Sequence, residues 1–436
     1  MQGREQKVRR QTAAGTARDI PVRRRRMFYI PGYDPFPPRR YRELYRREGA
    51  EQARLSGYRL QVAPRMGRDA YGWHISAQID GARVETEVTV MLWADLVRDS
   101  MARGVVGTYW LLLRTFWIYL STGAMGRLFR LRRGPVITAM YPVAVLLGQL
   151  GLALGFGWAA VRGLGAVLPA GWGAWVAWPA GATVVAALLV WFRRIDGRLY
   201  AHYLLHDYGF TAQERGRTPA ALQRRLDEFA AEIGRALASD VDEVLVVGHS
   251  SGAHLGVEAV AAALRARAPV PEAVPGPALG FLTLGQAIPM QSFLPRAEAL
   301  RADLHYLAGS DRLTWVDVSA PGDGCCYALC DPVAVSGASP AAKRWPLVVS
   351  AAFSQTLKPA TWKRLRRRFF RLHFQYLCAF DAPGHYDYFR ITAGPQTLGA
   401  RYARQRPSPS RKEEVLSPHT RRSPESAPPA PAPAPA

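Results

Sequence analysis

Val244-Leu245-Val246-Val247-Gly248-His249-Ser250-Ser251-Gly252 is the stretch from which the architecture of this chain can be read. Four apolar residues lead into Gly-x-Ser-x-Gly, and a helix-like stretch from Ala253 to Arg267 follows. In such a pattern a buried strand ends, a tight turn lifts a serine, and a helix begins with its N-terminus facing that serine. Gly248 and Gly252 belong there because a β-carbon at either position would collide with neighbouring backbone. The spacing therefore predicts a strained turn that presents Ser250 as a nucleophile.

A serine hydroxyl becomes reactive when a base takes its proton and a buried carboxylate orients that base. In the arrangement built on this kind of turn the chain order is serine, then Asp or Glu, then histidine. His385, in Phe380-Asp-Ala-Pro-Gly-His-Tyr-Asp-Tyr388, is the expected base. It lies in a Pro/Gly loop a few residues past Leu372–Leu377, whose alternation reads as the last strand. His373 falls inside that strand, His254 one turn into the helix after the serine, and His249 beside the serine, facing the core. Asp323, in Trp315-Val-Asp-Val-Ser-Ala-Pro-Gly-Asp-Gly324, is the expected acid, with Asp331 in Cys330-Asp-Pro-Val as its rival. Asp317 lies within a strand and Asp311 just before it. Asp next to Gly or Pro is also ordinary turn chemistry, so both carboxylates stay open.

Acyl transfer develops a negative oxygen that two N–H groups must receive. Ser251, which follows the nucleophile, supplies one. The early strand and turn Phe28-Tyr-Ile-Pro-Gly-Tyr-Asp-Pro35 supply the other, with Gly32 permitting close backbone approach and Tyr33 donating its N–H.

The remaining sequence sets the context. With 436 residues, 49% hydrophobic content and 12 Trp, the chain exceeds what one simple core fills. The net charge of +23 gathers in blocks: Arg23–Arg26, Lys363–Arg368, and Arg401 to Lys412. Such blocks suit anionic lipid or nucleic acid, but no nucleic-acid fold signal accompanies them and no specific nucleic-acid partner is expected. Four cysteines without zinc spacing point to reduced thiols in a cytoplasmic setting, with no metal and no organic cofactor implied. Met1 to Arg26 lacks the apolar core of a signal peptide.

Residues 1–26 read as a disordered basic arm, 27–100 as the first part of a catalytic domain, 200–400 as its second part, and 401–436 as a disordered Pro/Ala-rich tail. Pro38–Leu55 reads as a charged helix, and Trp73–Ile79 with Arg83–Leu92 as a hairpin around Asp80-Gly81. Pro219–Leu237 reads as an amphipathic helix, and Gly280–Leu284 and Leu313–Val318 as further strands. Between the halves, residues 101–199 read as a membrane insertion. Uncharged stretches of about 136–161 and 172–192 are each long enough to cross roughly 30 Å of hydrocarbon. Arg127, Arg130, Arg132 and Arg133 precede the first, and Arg193, Arg194 and Arg198 follow the second, whereas Arg162 stands alone between them. The positive-inside tendency then puts the catalytic domain and both termini on the cytoplasmic side of a bacterial-type membrane. Gly104–Met125, interrupted by Arg114, reads as an in-plane helix.

Taken together, Ile30-Pro-Gly-Tyr-Asp-Pro, Gly248-His-Ser-Ser-Gly, Leu282-Thr-Leu-Gly-Gln-Ala-Ile-Pro, Trp315 to Asp323 and Gly384-His385 resemble the lipase and esterase branch of the α/β-hydrolase superfamily over about 27–100 and 200–395. Pro31-Gly32 departs from the family's His-Gly in the oxyanion loop, and the membrane hairpin interrupts the fold before the serine. The resemblance implies an α/β fold, a mostly parallel sheet flanked by helices, here with a two-helix transmembrane insertion. It implies hydrolysis of a carboxylic ester through an acyl-enzyme; the membrane anchor and the aromatic stretch 104–125, which would keep the pocket near the acyl boundary, point to a lipid or lipid-like acyl ester as substrate and the membrane as partner. A non-catalytic membrane scaffold retaining the same fold is the competing expectation.

Overall fold

The computed structural model describes residues 21–65, 71–169, 172–267 and 276–423. Eight strands form one sheet: β1 (Arg24–Ile30), β2 (Arg59–Pro64), β3 (Gly72–Ile79), β4 (Ala82–Val90), β5 (Glu243–His249), β6 (Ala278–Leu284), β7 (Thr314–Ser319) and β8 (Leu347–Ser350). Their spatial order is β2-β3-β4-β1-β5-β6-β7-β8. β4, β1 and β5 through β8 run parallel, while β2 and β3 pair antiparallel at one edge. This is the mostly parallel α/β sheet expected from the sequence.

Parallel strands covered by helices on both faces must be apolar on both sides. Met27, Tyr29, Leu245, Val247, Leu282 and Val316 pack on one face. Phe28, Ile30, Val244, Val246, Phe281 and Trp315 pack on the other. The principal helices are α1 (Arg39–Ser56), α2 (Val105–Ser121), α3 (Ala124–Leu131), α4 (Arg133–Val167), α5 (Gly173–Arg194), α6 (Ala201–Ala212), α7 (Ala220–Leu237), α8 (Gly252–Ala266), α9 (Glu298–Gly309) and α10 (Phe369–His373). α8, fed by the turn at Ser250, packs against α7 and α9.

After β1 the chain runs to the β2 edge and returns through β4, then crosses to β5 on the other side of β1. The strand order therefore reverses between β1 and β5. In open α/β sheets ligands bind at such a switch point, beyond the carboxyl ends of the strands. Ile30 and His249 end the two strands there.

α4 and α5 are long and apolar enough to cross a membrane. They touch through glycines: a β-carbon on Gly157 would lie 2.9 Å from the Gly181 carbonyl oxygen, and one on Gly181 would lie 2.8 Å from that of Gly157. Small residues at a helix crossing let backbones approach in lipid. Because β4 and β5 belong to one sheet, the chain between Val90 and Glu243 can cross a bilayer only an even number of times. α2 packs on α6 instead and leaves Trp110, Leu113, Trp117 and Leu120 exposed along one side.

Several expectations need correction. Arg24–Arg26 are strand, not a disordered arm: Arg25 is buried, its Nε 2.6 Å from Glu243 Oε2 and its Nη atoms donating to the carbonyls of Gly394 and Gln396. A buried guanidinium so satisfied belongs to the core despite its charge. Residues 401–423 are not a loose tail but lie along the body. There the Lys412 N–H donates to the Leu329 carbonyl, its ammonium to Leu131, and the Leu416 and Ser417 N–H groups to Val335. Residues 1–20 and 424–436 lie outside the described residues. Leu372–Leu377 is not a strand: it spans the end of α10 and a 3-10 turn, Gln375–Leu377.

Candidate functional site at the β1 and β5 strand ends

Ser250 follows β5 directly and has φ +58°, the left-handed region that a serine adopts only where its surroundings force it. Its N–H donates to the Leu284 carbonyl on β6 and its carbonyl accepts from Ala253, which pins the turn from both sides. A β-carbon on Gly248 would fall 2.6 Å from the Gly252 carbonyl oxygen, and one on Gly252 would fall 2.2 Å from that of Ile30. Both glycines are thus demanded by the packing of turn against strand. A β-carbon on Gly32 would lie 3.0 Å from Ser250 Cβ and 3.5 Å from its Oγ, so the loop after β1 lies directly on the serine.

Ser250 lines a cleft of about 640 Å³, open mouth included, together with Gly32, Tyr33, Asp207, Cys325, His373 and Phe374. Among the described residues, the N–H groups of Tyr33 and Ser251 donate no hydrogen bond. Tyr33 is held in place by its carbonyl, which accepts from the Tyr203 hydroxyl, and by its own hydroxyl, which meets Ser100.

Asp323 sits in the turn after β7, buried. Its Oδ1 accepts the Cys325 N–H at 2.9 Å; its Oδ2 accepts His373 Nδ1 at 2.7 Å and the Tyr376 hydroxyl at 3.1 Å. Burial pushes this carboxyl up, but the charge and hydrogen bond of His373 outweigh it and hold it below the ordinary carboxylate value. With Nδ1 so engaged, His373 Nε2 is buried and without a partner among the described residues. Gly285, at φ +52°, clears the space: a β-carbon there would meet Tyr376 at 2.6 Å and His373 Cε1 at 3.2 Å. α10, which carries His373, leans through Phe370 on Tyr200 (ring centroids 4.9 Å), just past α5.

The structure does not bring His385 to this cleft. His385 is exposed, and its carbonyl is taken by Arg401 and Tyr402. Asp331 is occupied elsewhere: its Oδ1 caps the short helix Pro332–Val335 and its Oδ2 pairs with Lys343. Asp317 accepts from Thr283 inside the sheet. His249 stacks on His373 (centroids 4.8 Å), and its Nε2 meets the His373 carbonyl oxygen. Burial, then repulsion from His373, push it down to about 3, so it stays neutral. His254 is likewise buried and driven down to about 3.

Sequence reasoning missed two further groups. Asp207 reaches the cleft from α6, and its Oδ1 accepts the Ser251 hydroxyl at 3.1 Å. Burial pushes its carboxyl up to about 7. Cys325, a cleft wall, is driven up by burial and the Asp323 charge. Asp323, Cys325 and His373 place potential ligand atoms within 4.8 Å of one another. Both Asp323 oxygens are already taken, however, so the set reads as a hydrogen-bonded acid–imidazole pair beside a thiol.

Comparison with protein-family models, curated proteins and solved structures finds no match to this chain. Its geometry alone carries the functional argument.

Proposed function

We propose that the protein is a membrane-anchored serine hydrolase of the α/β-hydrolase type that cleaves a carboxylic ester. The observation that carries this reading is the Asp323–His373 hydrogen bond, which leaves Nε2 of His373 buried and unpartnered in the same cleft as the strained Ser250. In this reading His373, not His385, is the base. Ser250 Oγ bonds to the ester carbonyl carbon as its proton passes to His373 Nε2. The N–H groups of Tyr33 and Ser251 receive the oxyanion. The carbon–oxygen bond to the alcohol then breaks, and the alcohol leaves with the proton held by His373. Water, deprotonated by the same imidazole, attacks the acyl-enzyme and frees the acid and Ser250. Asp323 fixes the imidazole tautomer and stabilises its charged form.

α4 and α5 cross the membrane in this proposal, with the arginine flanks and the sheet on the cytoplasmic side. The substrate is an acyl ester reached at or in the bilayer.

The test is labelling of the detergent-purified protein by a fluorophosphonate probe. Wild type and His385→Ala should label; Ser250→Ala and His373→Ala should not. Folded wild type that fails to label would instead favour the non-catalytic scaffold.

A further inference from the structure

Beside the cleft lies a second cavity that the proposed chemistry leaves unused. It spans about 550 Å³, open mouth included, between α2, α3, the beginning of α4 and α6. Its walls include Leu112, Phe116, Leu128, Val136, Ala139 and Val143, and no charged side chain lines it. Tyr208 and Met290 line both this cavity and the Ser250 cleft, so these two side chains form a shared partition. On its far side Phe116 is partly exposed, next to the apolar row Trp110, Leu113, Trp117 and Leu120 of α2.

A chamber with one wall toward a nucleophile and the other on an exposed apolar face suits one kind of molecule, a long hydrocarbon chain with a reactive group at its end. A charged or hydroxylated head group would lose its hydration among these walls without gaining partners. On the cleft side, by contrast, Asp207 and the unpartnered Nε2 of His373 can meet polar groups. Each methylene of a chain gains by burial in the chamber. Met290, unbranched and flexible, is the kind of side chain that yields to a ligand.

We propose that this cavity binds the acyl chain of a lipid ester, received from the apolar surface of the insertion, with its carbonyl placed past Tyr208 and Met290 at Ser250. This deepens the hydrolase reading and rests on it for the position of the ester. The membrane insertion is then a specificity element as well as an anchor.

Two measurements on the full-length protein in lipid nanodiscs test it. First, Ser250→Ala protein is irradiated with a palmitoyl ester carrying a diazirine at the chain end. Adducts should map to α2 and the start of α4 and disappear when Ala139→Trp is added. Second, Ala139→Trp should lower kcat/KM for a palmitoyl ester by roughly ten-fold or more, leaving acetyl-ester hydrolysis and fluorophosphonate labelling at wild-type levels. The smaller Ala139→Leu should give an intermediate effect, which covers the case that tryptophan disturbs folding. Adducts confined to other segments, or an unchanged chain-length preference in both variants, would overturn the assignment. Absence of fluorophosphonate labelling in folded wild type would remove the hydrolase reading, while the cross-linking map would still decide whether the chamber takes a chain.

Discussion

Asp323 and Asp207 differ in what their surroundings do to their protons, and that difference can be measured. On the proposed mechanism, replacing Asp323 by Asn should lower ester hydrolysis by roughly 10³- to 10⁴-fold, the scale of losing the orienting acid of a catalytic triad, whereas Asp331→Asn should act on stability alone. Steady-state rates on an activated ester separate the two outcomes. Asp207, raised to about 7 by burial, is held protonated where the unfolded chain would be ionised. Its contribution to stability is complete below the ordinary carboxylate value and is lost as pH rises through about 7. Asp207→Asn should therefore flatten the fall in Tm between about pH 5 and pH 8, and a melting series across that range checks it. Asp323 works in the opposite sense. Its stabilisation is present above the ordinary carboxylate value and disappears as pH falls through its lowered folded value. Of these residues, Ser250 and Asp323 were legible because turn glycines and a strand end mark them. His373 was not, because its partner lies fifty positions upstream in sequence and nothing near it records that contact. Asp207 gave no signal either, since a lone carboxylate after an apolar stretch looks like any helix surface residue.

Helices and strands were read well wherever a pattern ran long enough to fix its own period. The strand before Ser250 and the hairpin around Asp80-Gly81 were placed to within a residue or two, as were α7 and the extents of α4 and α5 to within several. Leu372–Leu377 misled because its apolar residues alternate with His373 and Gln375 as in a strand, yet those two polar side chains are buried as well, which a short helix and a 3-10 turn packed into the body accommodate. β2, at the sheet's edge, half-buries only Leu60 and Val62, and β8, four residues long, carries too few positions for any period to show. The glycines of the elbow give the prediction at this scale. Gly252→Ala would drive a methyl into the Ile30 carbonyl, and strand and turn must separate to admit it. The variant should lose on the order of 3 kcal/mol or fail to fold, with circular dichroism melts as the readout. Gly234→Ala, where a β-carbon meets nothing within 4 Å, should be neutral or slightly stabilising.

At the scale of the whole molecule, one sheet built from both sides of the insertion constrains topology more firmly than any count of arginines. Protease applied outside intact cells should leave both ends of the chain uncut, and cleavage of the C-terminal segment under those conditions would reverse the proposed orientation. The arginine blocks misdirected the reading at both ends of the fold: Arg25 serves the core and Lys412 ties residues 401–423 to the body. Charge runs report composition, while burial depends on whether a partner waits elsewhere in the chain.

The contact of Phe370 with Tyr200 has a mechanical side. Those two rings join the helix that carries His373 to the stem that leaves the second apolar helix. Were the two apolar helices to tilt in a thicker or thinner bilayer, as the proposed topology allows, this pair of rings is the contact through which the helix bearing the imidazole would be pushed.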